Sequence, residues 1–178
     1  MWNVDPMEQM NIVSAFPAGT DINTDADGDW VSLKGFAGCV VYFKKPTGTA
    51  GDDPSIKLQQ ATDVSGTGAK ALNFNHIYHK IGATALTGVG QWTKVELTSA
   101  TDDLDLVSVN GVDLATDINE TQIAVVVRPS DLDVDGGFDC IRLQIEGDDL
   151  SNANTATADY IMFGARYPQV TTESAIAD

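Results

Sequence analysis

The chain has 178 residues, 43% hydrophobic and 20% charged, which suits one globular domain large enough to bury its own core. Its 26 acidic residues against 10 basic ones give a formal net charge of −16, a surface that repels phosphate and so excludes nucleic acid and anionic membranes as partners. No apolar run reaches the roughly 18 residues of a membrane-crossing helix. No secretory leader is expected either, because Asp5 and Glu8 interrupt an N-terminus without a basic region.

Met1 to Met10, MWNVDPMEQM, differs from everything after it: three of the four methionines and one of the three tryptophans fall here. Asp5-Pro6 followed by Glu8 has the form of an N-cap, a proline at N1 and an acid at N3, so a short helix could start here. The segment is expected to be an extended N-terminal arm, either frayed or docked on another subunit through Met1, Trp2, Val4, Met7 and Met10. Ordering ten residues costs about 10–20 kcal/mol of backbone entropy. One buried Trp returns at most about 5 kcal/mol, so Trp2 alone cannot hold the arm and the whole apolar set must dock.

A single domain is expected over residues 11–170, followed by a polar tail, Thr171 to Asp178. Short strands are predicted at Asn11–Phe16, at Trp30–Leu33 after the acidic turn Asp21–Asp29, and at Cys39–Lys45. Ile56–Thr62 alternates ahead of a Gly-rich turn, Asp63–Ala69. Phe74–Lys80, Thr93–Leu97 and Leu104–Val109 follow, and Asn110-Gly111 is a hairpin signal. Gln122–Arg128, apolar without a break from Ile123 to Val127, reads as a strand buried on both faces. Phe138–Glu146 alternates, with Ile141, Leu143 and Ile145 on one face; Phe138 and Cys140 have the other parity, which calls for a bulge or a doubly covered strand. Tyr160–Ala165 closes the sheet. With no long helical periodicity, the pattern predicts an all-β fold: an antiparallel β-sandwich, jelly-roll-like, with Ile123, Val125, Val127, Ile141, Leu143 and Ile145 in its core. Cys39 and Cys140 both fall in strands and are expected as reduced core thiols, a disulfide between facing sheets being the alternative.

Asp131-Leu-Asp133-Val-Asp135-Gly136 has the first half of a calcium loop, and Asn23 to Gly28 is a looser copy. The bidentate acid at the twelfth position is missing in both, where Arg142 and Lys34 stand, so a solvated turn competes with a calcium site. His76 and His79, three apart in a strand, point to opposite faces and cannot share a metal. They are also the only histidines available as a catalytic base, in a segment that reads as structural, so no enzyme and no cofactor are expected.

Three stretches carry a resemblance: Asp29 to Lys34 (DWVSLK), Leu58 to Leu72 (LQQATDVSGTGAKAL) and Asp131 to Arg142 (DLDVDGGFDCIR). Together they resemble small virion structural proteins of tailed bacteriophages, of the head decoration or cement type, over roughly Asp21 to Tyr167. Met1 to Met10 and Leu104 to Glu120 lie outside it. The resemblance implies a non-enzymatic protein made in the host cytoplasm that sits on the outer capsid surface. There it would bind the major capsid protein as a trimer or dimer and stabilise the head against internal DNA pressure. Two alternatives stand beside it: a tail or neck component of the same virion, and a carbohydrate- or receptor-binding β-sandwich. The latter wants exposed aromatics, and Trp30, Tyr42 and Tyr78, in predicted strands, and Trp92, at the start of one, are expected in the core instead.

Overall fold

The computed structural model describes residues 6–22, 24–45, 54–82, 90–106, 109, 120–146 and 155–166. Among these, the strands in chain order are β1 (Met10–Asp21), β2 (Ala26–Asp27), β3 (Val31–Ser32), β4 (Gly38–Lys45), β5 (Ser55–Ala61) and β6 (Lys70–Ala71). They continue with β7 (Phe74–Gly82), β8 (Thr93–Thr101), β9 (Asp103–Asp105), β10 (Glu120–Val127), β11 (Cys140–Glu146) and β12 (Thr155–Phe163). The fold is all-β, and the described residues contain 3-10 turns but no α-helix.

Two antiparallel sheets face each other. One is six-stranded in the order β1-β12-β4-β10-β7-β8. In the other, β11 and β5 form the centre, flanked by β2 and β3 beyond β11 and by β6 and β9 beyond β5. The centre of the large sheet follows from β-branched and aromatic residues that suit a pleated surface. β10 pairs with β4 in unbroken register from Thr121↔Lys45 to Val127↔Cys39, and β4 with β12 from Lys44↔Thr157 to Gly38↔Phe163. Val41, Phe43, Ile123, Val125, Val127, Tyr160 and Met162 point from this sheet onto Ile56, Leu58, Ile141, Leu143 and Ile145 of the other, all buried. The six predicted core residues of β10 and β11 are among them. Cys140 and Ile141 are both buried while β11 keeps its register with β5, so that end of the strand is doubly covered rather than bulged.

Several boundaries differ from expectation. β1 runs on to Asp21 through register shifts between Ser14 and Phe16 and between Phe16 and Thr20, beside Pro17 and a left-handed Gly19 (φ 78). The acidic turn holds β2, two residues long; of the strand foreseen at Leu104–Val109, Leu104 and Asp105 belong to β9, while residues 107–108 and Asn110-Gly111 lie outside the described residues. Arms this short carry no periodicity that a sequence pattern could reveal.

β11 meets a broken neighbour. β2 pairs with Gln144 and Ile145, and β3 with Cys140 and Ile141, but between them Gly28 to Trp30 leave the ladder. Asp29 N–H instead donates to the Ala15 carbonyl of β1 (2.9 Å), tying the two sheets together at this end. Gly28 N–H still reaches the Leu143 carbonyl (2.8 Å), but Leu143 N–H donates to the hydroxyl of Tyr160, 2.7 Å away across the core. Tyr160 is fully buried, and that burial pushes its ionisation far above the usual range. Only glycine fits at position 28: a Cβ there would lie 2.7 Å from both the Leu143 carbonyl oxygen and the Tyr160 hydroxyl.

Candidate interaction surface

The outer face of the six-stranded sheet is where the molecule departs from a plain sandwich. Outward positions of an antiparallel sheet are ordinarily polar. Here the register aligns Ile12 with Ile161, Ile161 with Val40 and Val40 with Val126, an apolar row across β1, β12, β4 and β10. Met10 and Phe163 extend it at one end, and Ile12 is 51% exposed. The neighbouring row runs Asp159, Tyr42, Ala124, Tyr78 and Lys94. Trp92, 47% exposed, sets its ring edge-on to Tyr42 with centroids 6.4 Å apart. Tyr42 donates its hydroxyl to Gln122 Oε1 (2.9 Å), and Ser14 donates to Asp159 Oδ1 (3.0 Å). Among the described side chains this face carries Lys44, Lys80 and Lys94 against Asp21, Glu96 and Asp159, balanced on a chain of net charge −16.

The unbroken apolar runs at Cys39–Phe43 and Ile123–Val127 were the signal for this surface. An apolar run implies cover on both faces, yet no second layer of described residues covers Val40, Val126 or Ile161, which remain half-exposed. The four aromatics expected in the core are not there either. Tyr42 and Tyr78 are half-exposed on this face together with Trp92. Trp30 lies on the opposite sheet beneath Arg142, whose guanidinium carbon is 5.0 Å from the ring centroid, and against Gly66. Arg142 is itself fixed by Gln59 Oε1 (2.8 Å) and Asp27 Oδ2 (3.1 Å).

Of the predicted arm, Met1, Trp2 and Val4 lie outside the described residues. Pro6–Glu8 forms a single 3-10 turn rather than a helix, and Met7 in it is 60% exposed. Met10 is no part of an arm: it opens β1 opposite Phe163, and the preceding Gln9 carbonyl accepts the Ala165 N–H (3.3 Å). Pairing with β12 therefore fixes the chain from Gln9 onward.

The half calcium loop takes another form. Residues Pro129–Asp131 and Val134–Gly136 are consecutive 3-10 turns that carry the chain from β10 in one sheet to β11 in the other. Asp131 Oδ2 accepts the Arg128 N–H (2.8 Å), and Asp133 Oδ1 accepts the Gly136 N–H (3.1 Å). The other Asp133 oxygen takes the Lys70 ammonium, which holds this carboxyl below its usual range with help from the Gly136 N–H. Asp135 is exposed. Asp131 and Asp133 thus serve as separate turn caps, and among the described residues no three His, Cys, Asp or Glu side chains gather to hold a metal.

His76 and His79 do face opposite ways. His76 pairs with Glu96 on the outer face, its Nδ1 2.7 Å from Asn75 Oδ1. His79 pairs with the buried Ile123, and its Nδ1 is buried without a hydrogen-bond partner; burial holds its pKa below the usual range. Both cysteines are free and buried. Burial drives the Cys39 thiol far up and, with the Asp139 carboxylate beside it, Cys140 up to about 12, so neither offers a thiolate. A cleft of about 410 Å³ opens where β7 begins and β10 ends, lined by Asn73, Phe74, Asn75, His76, Arg128 and Asp131 among others. Two of its polar groups are already engaged, His76 with Asn75 and the Asp131 carboxylate with the Arg128 backbone. Compared with known proteins, the chain matches no family model, no curated protein and no solved structure.

Proposed function

We propose that the chain is a non-enzymatic decoration, or cement, protein that binds the outer surface of a tailed-bacteriophage head and stabilises it against internal DNA pressure. Its partner is the major capsid protein, and it acts as a dimer or trimer. The observation that carries this reading is the outer face of the six-stranded sheet, apolar along one row and near charge balance on an otherwise acidic chain. A broad face of this kind suits another protein surface, where a small ligand needs a concave, mostly apolar pocket. The remaining acidity then faces solvent, away from packaged DNA. A jelly-roll-like form is supported by the strand order: β1, β12, β4 and β10 lie side by side in one sheet, with β2/β3, β11, β5 and β6 in the other. The resemblance at Asp29–Lys34, Leu58–Leu72 and Asp131–Arg142 points the same way.

The test adds purified protein to undecorated shells and images them by cryo-EM. Density on the head exterior and a higher shell melting temperature are expected. Density only at the neck or tail would assign the protein there, and shells equally heat-stable with and without bound protein would overturn the cement role.

A second reading, a carbohydrate- or receptor-binding module, is favoured by one observation: Trp92, Tyr42 and Tyr78 present aromatic surface outside the core. Glycan binding that disappears in Trp92→Ala, with the fold intact, would favour it over decoration.

A further inference from the structure

The connection from β10 to β11 walls one side of a second cavity, of about 130 Å³. Its floor is buried and apolar: Leu33 and Phe36 from the turn between β3 and β4, and Leu132 from the connection. Phe138, packed on the core, and Val134 form its wall. Val134 is 58% exposed, an aliphatic side chain left in water beside an apolar hollow. Two cations stand at the same hollow. Lys34 follows Leu33 directly, and Arg166 is fixed there by its own N–H, which donates to the Gly35 carbonyl (2.8 Å). Both side chains are exposed.

Cations on this chain are few and mostly engaged. Lys57, Lys70, Lys94 and Arg142 each form an ion pair, and Lys44 and Lys45 have partners too. Among the described residues the Lys34 ammonium and the Arg166 guanidinium have none. Against them the lining sets one acid, Asp139, which accepts from the Cys140 thiol (3.1 Å). The hollow is therefore net positive on a chain of net charge −16.

We propose that this cavity takes an aliphatic side chain flanked by carboxylates, on an acidic segment of the shell protein. Only the identity of the partner rests on the function proposed above; the site stands on its own geometry. A volume of about 130 Å³ is well below the roughly 300–1,000 Å³ of a small-molecule site. It suits one anchoring side chain, of leucine or isoleucine size, packed against Val134 and Phe138. The anion is a carboxylate because nucleic-acid phosphate is repelled by the charge of the chain as a whole. Arg166 offers a planar fork that takes a carboxylate through two parallel hydrogen bonds, and Lys34 a point charge on a flexible stem. An apolar anchor with a polar rim is the common anatomy of a protein interface. The cavity lies past the end of the large sheet at which Gly38 pairs with Phe163. Met10 and Phe163 extend the apolar row at that same end, so anchor and row belong to one end of the molecule.

The experiment titrates the full-length, 15N-labelled chain with three N-acetylated, amidated tripeptides: Glu-Leu-Glu, Glu-Gly-Glu and Lys-Leu-Lys. Salt at about 150 mM screens the distant acids of the chain. Glu-Leu-Glu is expected to shift the amide signals of Lys34 to Phe36, Leu132 to Phe138 and Arg166 saturably. It should bind at least tenfold more tightly than either control. Lys34→Glu with Arg166→Glu should turn the preference round, making Lys-Leu-Lys the better ligand. Unchanged signals from β10 and β11 would show this variant to be folded, as expected for exposed side chains. No saturable shift with Glu-Leu-Glu, equal affinity for either control, or a preference that survives charge reversal would overturn the proposal. The same double variant is then added to undecorated shells, where occupancy should fall tenfold or more. Full occupancy would overturn the shell protein as occupant and leave the capsid role intact. Peptide selectivity in a chain that never decorates shells would sink the capsid role and leave the site standing.

Discussion

At the scale of single residues, the decisive contact is Leu143 N–H to the Tyr160 hydroxyl, a hydrogen bond that bridges the two sheets through an apolar core. Tyr160→Phe keeps the ring and strands a buried donor, so chemical unfolding should show a loss of about 1–3 kcal/mol. Tyr42→Phe removes a hydroxyl at the half-exposed surface, where water can replace it, and should stay within about 0.5 kcal/mol. Equal effects from the two changes would show that the buried bond contributes nothing special. His79 gives a pH signature. Its folded pKa is depressed by burial, so below about 6.5 the unfolded chain binds a proton that the folded chain refuses. Stability from this residue is full above that value and falls as pH drops towards the folded pKa. The melting temperature should therefore fall between about pH 7 and pH 5.5, and His79→Leu should flatten the slope. A wild-type melting temperature that is flat over this interval would count against it. The alternation of Ala156, Ala158, Tyr160 and Met162 is visible in the sequence, yet nothing in it shows that Gly28 opens a gap for the tyrosine hydroxyl. That pairing exists only once two sheets face each other.

At the scale of elements, strands that bury a whole face were legible and strands that bury little were not. β4, β5, β10 and β11 were placed to within a residue or two, because their apolar residues recur with the pleat. β3 was also legible, inside the strand foreseen at Trp30–Leu33 whose Val31 and Leu33 are buried, whereas β2 and β6 are defined by backbone pairing alone and β9 was met only at Leu104 and Asp105. The outer face of the large sheet was misread for a physical reason: an apolar run says that both faces prefer cover, not that this chain supplies it. The connection from β10 to β11 was correctly read as a surface loop, but Asp131 and Asp133 in it cap backbone turns. Asp133→Ala removes the acceptor for Gly136 N–H and the partner of Lys70, and should cost about 0.5–2 kcal/mol by analogy with other lost caps. With these carboxylates already engaged, millimolar Ca²⁺ should leave the melting temperature where it is. A clear rise with Ca²⁺ that Asp133→Ala abolished would restore the metal site.

At the scale of the whole molecule, attachment should be separable from folding. Gln9 and Met10 belong to the pairing of β1 with β12, so a deletion meant to probe the arm must stop at Glu8. Removing residues 1–8 should leave the melting temperature nearly unchanged but lower occupancy on undecorated shells. Full occupancy would remove the arm from the attachment mechanism. Ile161→Lys, set in the middle of the apolar row and half-exposed, should likewise spare the fold and weaken decoration by tenfold or more, since burying an unpaired charge in an interface costs several kcal/mol. Undiminished decoration by this variant would mean that the shell contacts some other face.

The position of β12 has a consequence for synthesis. It lies between β1 and β4, so the first long strand made has no sheet partner until residues 155–163 leave the ribosome. Until then β1 and one edge of β4 stay open, and the apolar outer row is cut in two. The chain must pass through nearly its whole length before its sheet can close, which makes folding slow and late and leaves the nascent chain open to mispairing with its neighbours. A polysome crowded with copies of such a chain is a place where strand exchange competes with folding, and the bulges and the proline of β1 act there first, before any finished molecule exists.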